Sequence, residues 1–162
     1  MNKTPTYKEQ FDKLTRAYIS GEVDPWDCQA CFVGNLLNNV GRWSDCRIGD
    51  IDIFMTGKGR IGFASWSNEY RFNKGVDTIL EESSGLYTPQ EIADIEAVFI
   101  KTIVDNGGRQ YAWKDEIVTP TDEEALFVAF EATLEFLKQI HISKGEVIDE
   151  TPVFQKRQLK AL

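Results

Sequence analysis

The residues of this chain that could carry chemistry are three cysteines, a single histidine and one glutamate set among apolar neighbours. Cys28-Gln29-Ala30-Cys31 is a C-x-x-C, Cys46 follows, and His141 is the only imidazole. A cysteine pair at this spacing can chelate zinc, and a tetrahedral site needs four ligands. Cys28, Cys31, Cys46 and His141 would supply four. Against zinc, no second C-x-x-C exists, and the pair falls inside an expected helix rather than on the turn that usually presents such ligands.

Three other readings compete for the same cysteines. Trp26, two residues before the first cysteine at a helix start, is similar to thioredoxin-like redox sites. The helix dipole would favour a thiolate at Cys28, while Asp27 beside it opposes one, and the preceding strand of that fold is missing. The order Cys…His also suits a thiol hydrolase, but no base and orienting partner are visible. The remaining reading is packing, since cysteine is a small, soft core residue and Cys28 and Cys31 stand at the edge of an apolar helix face. No cofactor is expected, zinc being the alternative, and the sequence leans against an enzyme without deciding it.

Glu96 is the glutamate. At helical spacing it lies between Ile92, Phe99 and Ile103 on one side and Ala93 and Ile100 on the other. It must reach solvent past its neighbours, or be a buried carboxylate anchoring a polar network with Arg42, Arg47 or an asparagine. Gly57, Gly59 and Gly62 spell G-x-G-x-x-G, but the dinucleotide fingerprint requires a strand before it and a helix after it, so a hairpin turn is the reading here. Between residues 42 and 74 rings and cations mix, as in single-strand nucleic-acid binders. The net charge of −8, from 18 Lys+Arg against 26 Asp+Glu, argues against nucleic acid.

That charge is uneven. Residues 1–80 are neutral, residues 81–135 carry −10, and residues 136–162 carry +2. The acidic stretch is expected to be a solvated surface or a docking face for a basic protein partner.

The elements that must position these residues are mostly helices. Tyr7, Phe11, Leu14 and Tyr18 form one face of a helix over 4–20, with Thr4-Pro5 starting it and Gly21 stopping it. Asp24-Pro25-Trp26-Asp27 starts a second, running to about Asn39. A β-hairpin is expected over 51–66, an irregular stretch to Gly75 and a short helix from Val76 to Ser83. Thr88-Pro89-Gln90-Glu91 is a capping box for a helix ended by Asn106-Gly107-Gly108. Thr121-Asp122-Glu123-Glu124 is read as another, for a helix to about His141. Residues 106–120 connect the two and could hold a strand at 111–113. Residues 146–162 read as a tail. The fold class is therefore mainly α, a four- to five-helix bundle with an inserted hairpin, as one domain over 1–145.

The run from Trp26 to Asn35, W-x-C-x-x-C-x-x-G-N, together with the Thr88–Ile92 helix start, resembles small bacterial and phage proteins of uncharacterised function. The resemblance implies no activity and no site residue. With 42% hydrophobic residues a core can be buried. With no apolar run of membrane-spanning length and a polar N-terminus, neither a membrane helix nor a signal peptide is expected. The sequence thus points to an acidic cytoplasmic protein that works by protein–protein contact, or alternatively to a thiol- or zinc-dependent site at Cys28 and Cys31.

Overall fold

A computed structural model describes residues 4–25, 27–48, 51–52, 65–109 and 118–148. The chain is mainly helical: α1 (Tyr7–Ile19), α2 (Phe32–Leu36), a 3-10 turn (Gly41–Asp45), α3 (Ser65–Glu82), α4 (Pro89–Asp105) and α5 (Pro120–Ser143). Among the described residues, no helix is long and apolar enough to cross a membrane.

Each long helix with a described start opens on a threonine. Thr6, Thr88 and Thr119 accept from the backbone N–H three residues on, and Glu9, Glu91 and Asp122 return the contact. These reciprocal bonds satisfy donors that helix geometry leaves without partners. The α4 start is the expected one. The α1 and α5 starts each differ by two residues from expectation, at Thr6 rather than Thr4 and at Thr119 rather than Thr121. At α1 the spacing decides, because Thr4 has Tyr7 three residues on while Thr6 has Glu9. At α5 both threonines have an acid at that spacing, and the box that forms is the one whose acid, Asp122, also accepts from Arg109. Gly21, Gly107 and Gly145 then take positive φ just beyond the helix ends, a conformation that glycine adopts without a Cβ penalty.

The second helix is not the one expected. Residues 27–31 form a turn in which Asp27 O accepts from both Ala30 N (2.8 Å) and Cys31 N (2.7 Å). Helix α2 begins only at Phe32 and is five residues long. Asn38 and Asn39 at φ 59° and 64° end it. Lys13 Nζ fixes that end by donating to Leu36 O (2.8 Å) and Asn38 Oδ1 (3.0 Å). All five residues of α2 are buried, and so is Cys31 before it.

The expected hairpin over 51–66 is not supported. The described residues show one short antiparallel pair, Arg47–Ile48 with Ile51–Asp52, placed earlier in the chain. Ser65 and Trp66 already belong to α3, which runs unbroken through Gly75 where an irregular stretch was expected. A mid-helix glycine costs about 1 kcal/mol in propensity. Here it lets α3 approach the backbone of Cys46, which a Cβ at residue 75 would strike. Residues 53–64, including the Gly57–Gly62 turn, and the strand expected at 111–113 lie outside the described residues.

Helices α4 and α5 pack along each other, α1 and α2 pack together, and α2 also contacts α4. Phe32, Phe99 and Phe130 meet at the junction, with centroids 5.7 and 5.5 Å apart, and Tyr18 closes on Phe130 at 4.6 Å. Such aromatic contacts add about 0.5–1.5 kcal/mol each beyond burial.

Candidate functional site

The turn that carries the two cysteines is held from every side. Trp43 Nε1 donates to Cys28 O (2.7 Å), Asn39 Nδ2 to Gln29 O (3.0 Å), and Asn35 Nδ2 to Ala30 O (2.9 Å) and Cys31 O (3.0 Å). Gln29 N donates to Asp27 Oδ1 at 2.9 Å. Gly34 is packed so tightly under the turn that a Cβ would overlap the backbone of Cys28 and Gln29. Buried polar backbone must be paired, and here side chains from three later segments do the pairing. The loop geometry is thus fixed by tertiary structure.

Within the turn the two thiols differ. Cys28 is half-buried, while Cys31 is 2% exposed. Cys31 takes the N-cap position of α2, where its Sγ accepts from Gly34 N at 3.3 Å. Its Sγ also lies 3.7 Å from Cys28 O and 4.0 Å from Glu96 Oε2. Glu96 is itself 6% exposed, so it is the buried carboxylate rather than the solvent-reaching one. Burial, and then the Glu96 charge, push the Cys31 thiol well above the usual range. Cys31 therefore rests as a neutral thiol.

The four sequence candidates for zinc are not brought to one place. Cys46 is buried against Gly75 of α3. His141 is also buried, with Nε2 2.6 Å from Tyr87 Oη and Nδ1 3.0 Å from Glu146 Oε1. A carboxylate can only accept, so Nδ1 carries the hydrogen of the Glu146 contact. Glu146 further accepts from Tyr7 N at 3.0 Å, tying the start of the expected tail to α1. Among the described residues, no group of three or more His, Cys, Asp or Glu is arranged to hold a metal ion.

The acidic stretch divides into internal and surface parts. Asp122 is enclosed and pairs with Arg109 at 2.7 Å, Glu91 pairs with Lys144 at 2.7 Å, and Glu96 is buried. Hydrogen bonds from Arg109 and Thr119 hold the Asp122 carboxyl well below the usual range. At Glu91 burial pushes upward, but the bonds from Lys144 and Thr88 outweigh it and lower the carboxyl. Glu81, Asp94, Asp105, Glu123, Glu124, Glu131 and Glu135 are exposed.

Two of these exposed glutamates border a groove of about 540 Å³ between the end of α1 and the start of α5. Tyr18, Val23, Leu126 and Phe127 supply its apolar wall, and Glu123 and Glu124 its acidic rim. Burial and then the charges of Glu124 and Glu123 push the Tyr18 hydroxyl up to about 12. The groove thus sets two carboxylates beside an apolar wall.

Sequence reasoning identified the cysteines and Glu96 but missed Trp43, Asn35 and Asn39, which fix the loop. The cluster of three asparagines between residues 35 and 39 was the available signal, since asparagine favours turns and left-handed backbone. Comparison with known proteins finds no matching family model, no matching curated protein and no matching solved structure.

Proposed function

We propose that this protein acts by non-catalytic contact with another protein, and that the groove between α1 and α5 takes a partner segment bearing both basic and apolar side chains. The single observation that carries the reading is the coincidence of Glu123 and Glu124 with the apolar wall of Tyr18, Val23, Leu126 and Phe127. An apolar wall gives contact area, and carboxylates at its rim select the sign of the partner and speed encounter. The pairing of Asp122 with Arg109 supports the same reading. It anchors the first turn of α5, and so fixes the two glutamates that follow.

The test is a binding titration of a synthetic amphipathic peptide carrying lysine and leucine, read by fluorescence anisotropy. Affinity falls by about ten-fold or more between about 0.05 M and about 0.5 M salt if the carboxylate rim steers binding. Binding that ignores salt overturns the reading.

A further inference from the structure

We propose that Cys28 and Cys31 form a dithiol–disulfide couple that exchanges with the disulfide of a second molecule, Glu96 serving as the proton acceptor for Cys31. This inference is independent of the docking groove.

Three observations carry it. The first is reach. Asp27 O accepts from Ala30 N and Cys31 N, so residues 27–31 wind through one turn. Residues three apart on such a helical turn are side-chain neighbours, and disulfides join residues whose Cα atoms lie about 4.4–6.8 Å apart. The second is asymmetry. Cys28 is half-buried, whereas Cys31 is enclosed, so a foreign disulfide reaches Cys28 first. The third is the carboxylate. Glu96 Oε2 lies 4.0 Å from Cys31 Sγ in a site closed to solvent. A carboxylate at that distance from a buried thiol is a local acceptor for its proton.

The steps balance. Cys28 as thiolate attacks one sulfur of a disulfide RS–SR′, forming a Cys28–SR′ bond and releasing RS⁻. Cys31 Sγ–H then gives its proton to Glu96 and attacks Cys28 Sγ. The Cys28–Cys31 bond forms, the bond to SR′ breaks, and R′S⁻ leaves. The two protons lost by the cysteines, one of them by way of Glu96, end on the two released thiolates. The pair is oxidised by two electrons and the foreign disulfide is reduced by two. A thiol in excess drives the same steps backward. The pinned loop serves this chemistry, because Trp43, Asn35 and Asn39 hold the backbone while the sulfur bonds change.

The test uses the reduced full-length protein in glutathione buffers of graded oxidation, followed by alkylation and peptide mass spectrometry. Trypsin places Cys28 and Cys31 together in peptide Ala17–Arg42 and Cys46 in the next. The expected result is loss of two hydrogens from Ala17–Arg42, with Cys46 still alkylated. Cys31→Ser traps glutathione on Cys28, and Cys28→Ser leaves Cys31 reduced. Glu96→Gln slows closure about ten-fold or more relative to the first attack, seen as accumulated mixed disulfide. Insulin, offered as a protein disulfide in place of glutathione, tells whether the foreign disulfide is a protein's or a small molecule's. A wild-type pair that stays reduced in fully oxidised glutathione and with insulin overturns the proposal. So does glutathione that remains on wild-type Cys28 without displacement by Cys31. Neither of these results depends on whether the Glu96 variant folds.

Discussion

Replacing Asp122 with alanine removes a buried carboxylate that ties the start of α5 to Arg109. Its oxygens accept from Thr119 N (3.0 Å), Thr119 Oγ1 (2.9 Å), Arg109 N (3.0 Å) and Arg109 Nη2 (2.7 Å). Loss of the helix-start contacts costs about 1 kcal/mol. The stranded Arg109 N–H costs about another 1–1.5 kcal/mol. The Arg109 side chain is 37% exposed, so its ion pair is screened and adds about 0.5–1 kcal/mol. The total is about 3 kcal/mol, which lowers Tm by about 6–12 °C in a chain of this size. Calorimetry at pH 7 reads it. The pH dependence has a definite sign. The Asp122 carboxyl is lowered in the folded state, against an unfolded value of about 3.9. Its stabilisation is therefore complete above that value and is lost as pH falls through the folded one. The Tm gap between wild type and Asp122→Ala stays constant from about pH 7 to about pH 5 and narrows below about pH 4. A fall of less than about 2 °C at pH 7, or a gap that widens in acid, refutes the reasoning.

Other outcomes follow from the packing. Gly34→Ala forces a Cβ into the backbone of Cys28 and Gln29 and costs about 2 kcal/mol or more by urea unfolding, while Gly21→Ala meets no neighbour and is felt only through its positive φ. Tyr87→Phe strands a buried imidazole nitrogen of His141, and urea unfolding will show a loss of about 1–3 kcal/mol.

Much of this fold was legible in the sequence because local signals agreed. The helix from Thr88 to Asp105 carries its cap, proline, apolar stripe and stop within a single run, and it forms as expected. A cap for α1 and a capping box for α5 were legible, but each was placed two residues from the threonine that caps the helix, Thr4 for Thr6 and Thr121 for Thr119. What failed was set by distant contacts. Asp24-Pro25 reads as a helix start, yet Trp43, Asn35 and Asn39 draw residues 28–31 into a turn, and no local pattern near Cys28 contains Trp43. Gly75 reads as a breaker, but its role is to admit the Cys46 backbone. The candidate sites follow the same division. Glu96 could be marked from periodicity alone, whereas its approach to Cys31 required α2 and α4 to pack together. The −10 stretch could be counted, but which acids turn inward depended on Arg109 and Lys144.

The docking claim is tested most directly by two charge reversals on one helix. Glu123→Lys with Glu124→Lys changes the groove rim, and Glu131→Lys with Glu135→Lys makes the same change of net charge outside the groove lining. Binding of the basic amphipathic peptide at low salt is measured for both. The account predicts about a ten-fold or greater loss for the first pair and about a two-fold change at most for the second. Equal losses for the two pairs would mean that overall charge, and not the groove, captures the peptide, and would contradict it.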